Sequence, residues 1–150
     1  YRYARDGESP EAFATRCAQA LENLIVAEGP GTVAAFIAEP IMASGGMIVP
    51  PATYFDKIQK VLRKHDILFI VDEVICGFAR TGNMFGTQTF NLQPDMITLA
   101  KQLSSGYLPI SAVMVNEEIH SALVEQSRKI MVDDIAKWAK VIRDAKIQPE

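Results

Sequence analysis

Residues 67–86 read ILFIVDEVICGFARTGNMFG, and residues 94–115 continue PDMITLAKQLSSGYLPISAVMV. The first begins as an unbroken apolar run that stops at two carboxylates, Asp72 and Glu73, a pattern of a short buried strand rather than a helix. A Gly-rich loop, GFARTGNMFG, follows. DMITLAK is then expected to form another short strand ending at Lys101, SSGYLP a loop, and Ile110 to Val115 a fourth strand running in the opposite direction.

Upstream, Val33 to Ala38 is a second apolar run, closed by Glu39 and Pro40, and reads as a strand buried on both faces. Ahead of it, Ser9 is placed to cap a helix with Pro10 in its first position and Glu11 in its first turn. Phe13, Cys17, Ala20, Leu21, Leu24 and Ile25 recur at helical spacing until Glu28-Gly29-Pro30-Gly31 stops them. Met42 to Pro51 reads as a loop. The next helix runs from about Ala52 to His65, with Phe55, Ile58, Val61 and Leu62 as its apolar stripe and Lys57, Lys60, Arg63 and Lys64 toward water. This alternation predicts an α/β fold, a mostly parallel sheet flanked by helices. Glu117 to Ser127 reads as a short helix. Val132 to Ala145 reads as an appended C-terminal helix whose Ile135, Trp138, Val141 and Ile142 share a core or docking face, with Pro149 closing it.

The chain has 150 residues, enough for one core, and its 49% hydrophobic and 22% charged composition is that of an ordered globular protein. With 18 acidic residues against 15 Lys plus Arg, the net charge of -3 gives no global electrostatic case for nucleic acid. No apolar run is long enough to span a bilayer. Cys17 and Cys76 are too isolated for a disulfide framework, and His65 and His120 have no partners at ligand spacing, so no metal site is expected. Nothing reads as a signal peptide, which makes the cytoplasm the expected compartment. The polar, unpatterned opening YRYARDGESP, without an initiator Met, is expected of a piece of a longer polypeptide.

In an open α/β sheet, ligands bind outside the carboxyl ends of the strands. Glu39, Asp72 and Lys101 each follow an apolar strand there, so residues far apart in sequence share one edge. An amine beside carboxylates suits pyridoxal 5'-phosphate (PLP), which needs a lysine for its aldehyde and an acid for its pyridine nitrogen, so that electrons from a substrate α-carbon drain into the ring. Position alone leaves plainer readings open: Asp72 as a cap or turn, Glu39 as a solvated carboxylate, Lys101 as a surface lysine. Glu73 is expected to project to the other side of the extended segment, so Glu73→Gln is expected to be far better tolerated than Asp72→Asn. A dinucleotide-binding core is disfavoured, since no Gly-x-Gly-x-x-Gly follows the first strand.

Three motifs narrow this further: Asp-Glu-Val after a buried strand, Gly-Phe-x-Arg-x-Gly at residues 77–82, and Pro-Asp leading to Lys101. With them, residues 1 to about 130 resemble the large-domain core of the class III (omega) aminotransferases, PLP-dependent transferases of fold type I. The resemblance implies that Asp72 pairs with the pyridine nitrogen, that Val74 packs on a face of the ring, and that Lys101 forms the Schiff base and shuttles the proton. Glu39, in AEPIMASGG, is implied to help organise the cofactor site, and Arg80 to brace its loop. AKQLSSGYLPISAV is similar to the branch that uses amine or omega-amino acid donors with pyruvate. The implied function is transfer of an amino group between such a donor and a 2-oxo acid, in a homodimer when complete, with no nucleic-acid or membrane partner.

The family's phosphate clamp and ring-stacking aromatic lie upstream of residues like Tyr1. After HSALVEQSRKI the family continues into a segment whose Thr reaches the phosphate of the neighbouring subunit's cofactor, whereas MVDDIAKWAKVIRDAKIQPE follows here and resembles a C-terminal helix of such enzymes. Residues 1–130 are thus expected to be a partial PLP-binding large domain, and 131–150 a C-terminal helical segment joined across a deletion near Ile130-Met131. The alternative is a catalytically inactive truncated aminotransferase fragment with only structural or association capacity.

Overall fold

Ser9 Oγ accepts the Ala12 N–H at 3.2 Å and Pro10 takes the first turn, so helix α1 runs Pro10–Glu28 and ends at Gly29, whose φ is 90°. This is a computed structural model describing residues 1–146, in two units divided between Met114 and Val115. The face α1 buries is Ala14, Ala18 and Ile25, a correction to the predicted stripe: Leu24 is 57% exposed. Helix α2, Tyr54–Lys64, buries Phe55, Ile58, Val61 and Leu62 as predicted. Glu11 reaches Lys57 Nζ at 2.6 Å, and Glu22 reaches Lys64 Nζ at 2.6 Å and His65 Nε2 at 3.2 Å. Joined near both ends, α1 and α2 lie side by side in the same direction. Exposed pairs of this kind add little stability. The burial of Ile25, Ile58 and Leu62 is the larger contribution.

The strands are β1 (Ala35–Ala38), β2 (Leu68–Asp72), β3 (Met96–Leu99) and β4 (Ala112–Val115), hydrogen-bonded in the order β1-β2-β3-β4. Pairing is parallel between β1 and β2, with Phe36 beside Phe69 and Ala38 beside Val71. It is parallel again between β2 and β3, with Ile70 beside Met96 and Asp72 beside Thr98. The predicted α/β arrangement is therefore present, but the strands are not buried on both faces. Phe36, Ala38, Phe69 and Val71 join the core with Ile58 and Leu62, whereas Ile37 is 59% and Leu68 39% exposed on the opposite face. The physical reason is that α1 and α2 supply one layer, which covers one side. β3 also stops at Leu99 instead of Lys101, because Lys101 has φ 42° and opens a 3-10 turn, Lys101–Ser104.

Glu73 overturns its expected tolerance. Its side chain is fully buried, with Oε2 accepting the Gly86 N–H at 2.9 Å and Oε1 the Thr87 N–H at 2.6 Å. Those donors begin a short helix, α3 (Gly86–Thr89), which starts at the last residue of the predicted loop. A Cβ on Gly86 would stand 2.8 Å from the Pro40 side chain and 3.1 Å from that of Cys76, so only bare backbone fits there.

In the second unit, Asn116 Oδ1 accepts the Ile119 N–H at 3.0 Å and α4 runs Glu117–Asp144 without a break. The two helices predicted on either side of Ile130-Met131 are one, since no Gly or Pro interrupts that stretch. Pro149, predicted to close the helix, lies outside the described residues. Among the described residues no helix is long and apolar enough to cross a membrane.

Two predictions follow from these contacts. Glu73→Gln turns an amide NH2 toward one of two buried N–H donors, so it should cost about 1–3 kcal/mol in urea unfolding; a loss within experimental error would refute the anchoring role. Near the N-terminus, the Glu8 carboxyl is held at about 2 first by the Arg16 guanidinium and then by the Arg5 N–H. A depressed carboxyl pKa stabilises fully above the ordinary 4.5 and ceases to do so as pH falls through about 2. An NMR titration of Arg16→Gln should show the Glu8 midpoint returning toward 4.5.

Candidate active site

The carboxyl ends of β1, β2 and β3 lie side by side, and each predicted site residue is found at or just beyond one of them. Glu39 directly follows β1 and its Oε2 accepts the Ala43 N–H at 3.2 Å, closing the loop that leaves the strand. Asp72 is the last residue of β2 and is half-buried; its Oδ1 accepts the Val74 N–H at 2.9 Å, an Asx-type turn. The plain reading of Asp72 as a turn-former is thus realised, and any further role uses a carboxylate already oriented by its own backbone. Val74, half-buried, is part of that turn.

Burial pushes the Cys76 thiol up, its hydrogen bond to the Ile41 carbonyl partly offsets this, and the negative charges of Glu73, Glu39 and Asp72 push in the same direction as burial. All three carboxylates are therefore close enough to the buried sulfur to act on it. Glu39 and Asp72, at the ends of different strands, belong to one neighbourhood.

Lys101 is exposed and sits three residues past Thr98, the residue in register with Asp72. Its left-handed φ aims the turn away from the line of β3. The turn is tied to the loop after β2, where Arg80 Nη2 donates to Gln102 Oε1 at 3.2 Å. Arg80 thus links its own loop to that turn, from a stretch in which Phe78 and Ala79 have φ 59° and 67°.

Sequence reasoning missed Thr98. Parallel partners present side chains to the same face, so Thr98 and Asp72 share one, and Thr98 Oγ1 is buried without a hydrogen-bond partner. Leaving a hydroxyl so costs about 1–3 kcal/mol. The available signal was parity: Thr98 is the hydroxyl within DMITLAK, on the face opposite Leu99. Asp95, in the same motif, ties the start of β3 to β2. Its Oδ2 accepts the Phe69 N–H at 2.8 Å, and its own N–H donates to the Phe69 carbonyl at 2.9 Å. Among the described residues no group of three or more His, Cys, Asp or Glu is arranged to hold a metal.

A profile of the family described as aminotransferase class-III matches residues 2–131. A vanillin aminotransferase from Capsicum frutescens is 58% identical over 130 residues, covering 87% of this chain and 28% of the relative. Gamma aminobutyrate transaminase 3, chloroplastic, from Solanum lycopersicum is 57% identical over 130 residues, covering 87% of this chain and 25% of its own. The crystal structure of an omega transaminase from Pseudomonas jessenii in complex with PMP superposes with a TM-score of 0.85 at 59% identity, covering 87% of this chain and 29% of that one. The chain thus spans under a third of the length of these relatives.

The expected cytoplasmic compartment is corrected by these relatives. One is named chloroplastic, and gamma aminobutyrate transaminase 1 of Solanum lycopersicum, 58% identical over 130 residues, is named mitochondrial. The strand-end residues, the Gly77–Gly82 and Pro94–Lys101 motifs and the family match across residues 2–131 lead to one conclusion: the chain belongs to the class III aminotransferase family.

Proposed function

We propose that this chain carries the cofactor-binding edge of a PLP-dependent transaminase that moves an amino group from an amine or omega-amino acid donor to a 2-oxo acid such as pyruvate. The observation that carries the proposal is the alignment of an acid, Asp72, with an orphaned buried hydroxyl, Thr98 Oγ1, on adjoining strands, with the Lys101 amine on the turn that follows. Those groups fit PLP. When bound, the cofactor supplies an aldehyde that takes up amino groups and a pyridinium ring that accepts electrons from the substrate α-carbon.

The roles of the chain's own residues follow from charge and position. Asp72 holds a proton on the ring nitrogen by Coulomb attraction and a charge-assisted hydrogen bond. Val74 offers apolar contact to the ring face, and Glu39 keeps the Pro40–Ala43 loop closed beside the site. Lys101 would provide the amine that holds the cofactor's aldehyde and would serve as general base at the donor α-carbon. The donor class is supported by the gamma aminobutyrate and omega transaminase names of relatives. The family match ending at Met131 supports a partial PLP-binding large domain over 1–130, with 131–150 appended across a deletion. A homodimer of the complete enzyme belongs to the same proposal. The alternative reading is a segment that associates without catalysing.

Incubation of the intact protein with PLP, borohydride reduction and peptide mapping should place the pyridoxyl label on Lys101. A label on Lys129 or Lys137 would overturn the assignment, and absence of visible absorbance after cofactor addition would select the associating segment. In half-reactions with an amino donor, Asp72→Asn should lose about 10²-fold or more in rate with the label still formed; a near-normal rate would sink its role. A stability test is independent of activity. Lys101 is held at φ 42°, so Lys101→Gly should leave the melting temperature unchanged or raise it, by up to about 1 kcal/mol of stability. A marked fall would show that the turn depends on the lysine itself.

A further inference from the structure

Along α4, Val124, Arg128, Met131, Ile135, Trp138 and Ile142 succeed one another at spacings that alternate between four and three, the seam of a two-stranded coiled coil. The five apolar members are 47–67% exposed: Val124 48%, Met131 64%, Ile135 67%, Trp138 56% and Ile142 47%. The register runs unbroken through Ile130-Met131, on both sides of the point where the family match ends. We propose that α4 pairs with α4 of a second copy of this chain as an antiparallel coiled coil. This is independent of the cofactor reading.

The single charged seam residue chooses the orientation. A parallel, in-register pair would place Arg128 against Arg128 of the second copy inside the seam, two desolvated like charges. Antiparallel pairing instead sets each seam residue against the complementary heptad position. Met131 then meets Ile135 of the second copy, Val124 meets Ile142, and Arg128 meets Trp138. A guanidinium over an indole face is a favourable cation–π contact. The ring already accepts a cation, with Lys137 Nζ 5.6 Å from its centroid. Val132 and Asp134 each fall opposite themselves, so the one like-charge contact is the Asp134 pair on the solvated rim, where salt screens it. Leu123 and Ile130 lie off the seam.

Sedimentation equilibrium of the whole protein tests the pairing, with emission of Trp138, the chain's one tryptophan, as a local reporter. A concentration-dependent dimer with blue-shifted emission is expected. Ile135→Glu should weaken it by about 100-fold or more, since it buries a charge at the seam centre, whereas Ile130→Glu on the same helix should change it by less than about 3-fold. Asp134→Asn should tighten it by about 3-fold by removing the rim repulsion. In a Cys17→Ser background, Val132→Cys should form an intermolecular disulfide and Ile142→Cys should not. A monomer throughout, a dimer that survives Ile135→Glu or is abolished by Ile130→Glu, or cross-linking through Ile142→Cys would overturn the proposal.

Discussion

The register between β2 and β3 is the constraint on which the rest of the site depends. It is locked at both ends. At the amino end, Asp95 and Phe69 exchange hydrogen bonds through the Asp95 carboxylate and N–H. At the carboxyl end, the Glu73 N–H donates to the Thr98 carbonyl at 3.0 Å. A slip of one residue would turn every β3 side chain to the other face. Thr98 would leave Asp72 and Leu99 would leave the core. The Pro-Asp of the family motif therefore does its work far from the chemistry, at the opposite end of the strand from Lys101.

The dipeptide at the end of β2 divides two tasks between similar side chains. Asp72 stays half-buried at the strand edge, bound to its own turn, while Glu73 is fully buried and anchors the start of α3. Through Gly86, whose bare backbone rests on Pro40, that anchor also holds the chain leaving β1. Three strand exits are thus coupled: Pro40 through Gly86, Glu73 directly, and the Lys101 turn through Arg80 and Gln102. Local rigidity of this sort is what a site made of separate loops needs in order to hold geometry.

Much of this was legible in the sequence because the signals were local. Ser9 and Pro10 declared the start of α1, the stripe of α2 followed the helical period, and apolar runs ending in Glu39 and Asp72 marked strand ends. What was not legible depended on tertiary placement. An apolar run does not say whether one face or two will be covered, so the exposure of Ile37 and Leu68 could not be read from it. Nor does a carboxylate's type reveal its partners. Glu73 looked dispensable beside Asp72 because its two N–H donors come from residues brought back by the loop. Thr98 was hidden for the same reason, since only the pairing with β2 gives its hydroxyl meaning.

Backbone strain is concentrated where the strands give way to turns. Phe78 and Ala79 follow β2 with left-handed φ, and Lys101 and Ser105 do so after β3. Such conformations cost a non-glycine residue on the order of 1–2 kcal/mol each. A lysine held at that cost just past the end of a parallel strand has its side chain directed by backbone geometry, and Lys101 is exposed there. The strain persists because the surrounding hydrogen bonds over-determine the turn: Arg80 to Gln102 on one side, Ser104 to the Leu108 carbonyl on the other. The register lock and the strained turn are therefore parts of one arrangement. The first fixes where β3 ends, and the second decides which way its lysine leaves.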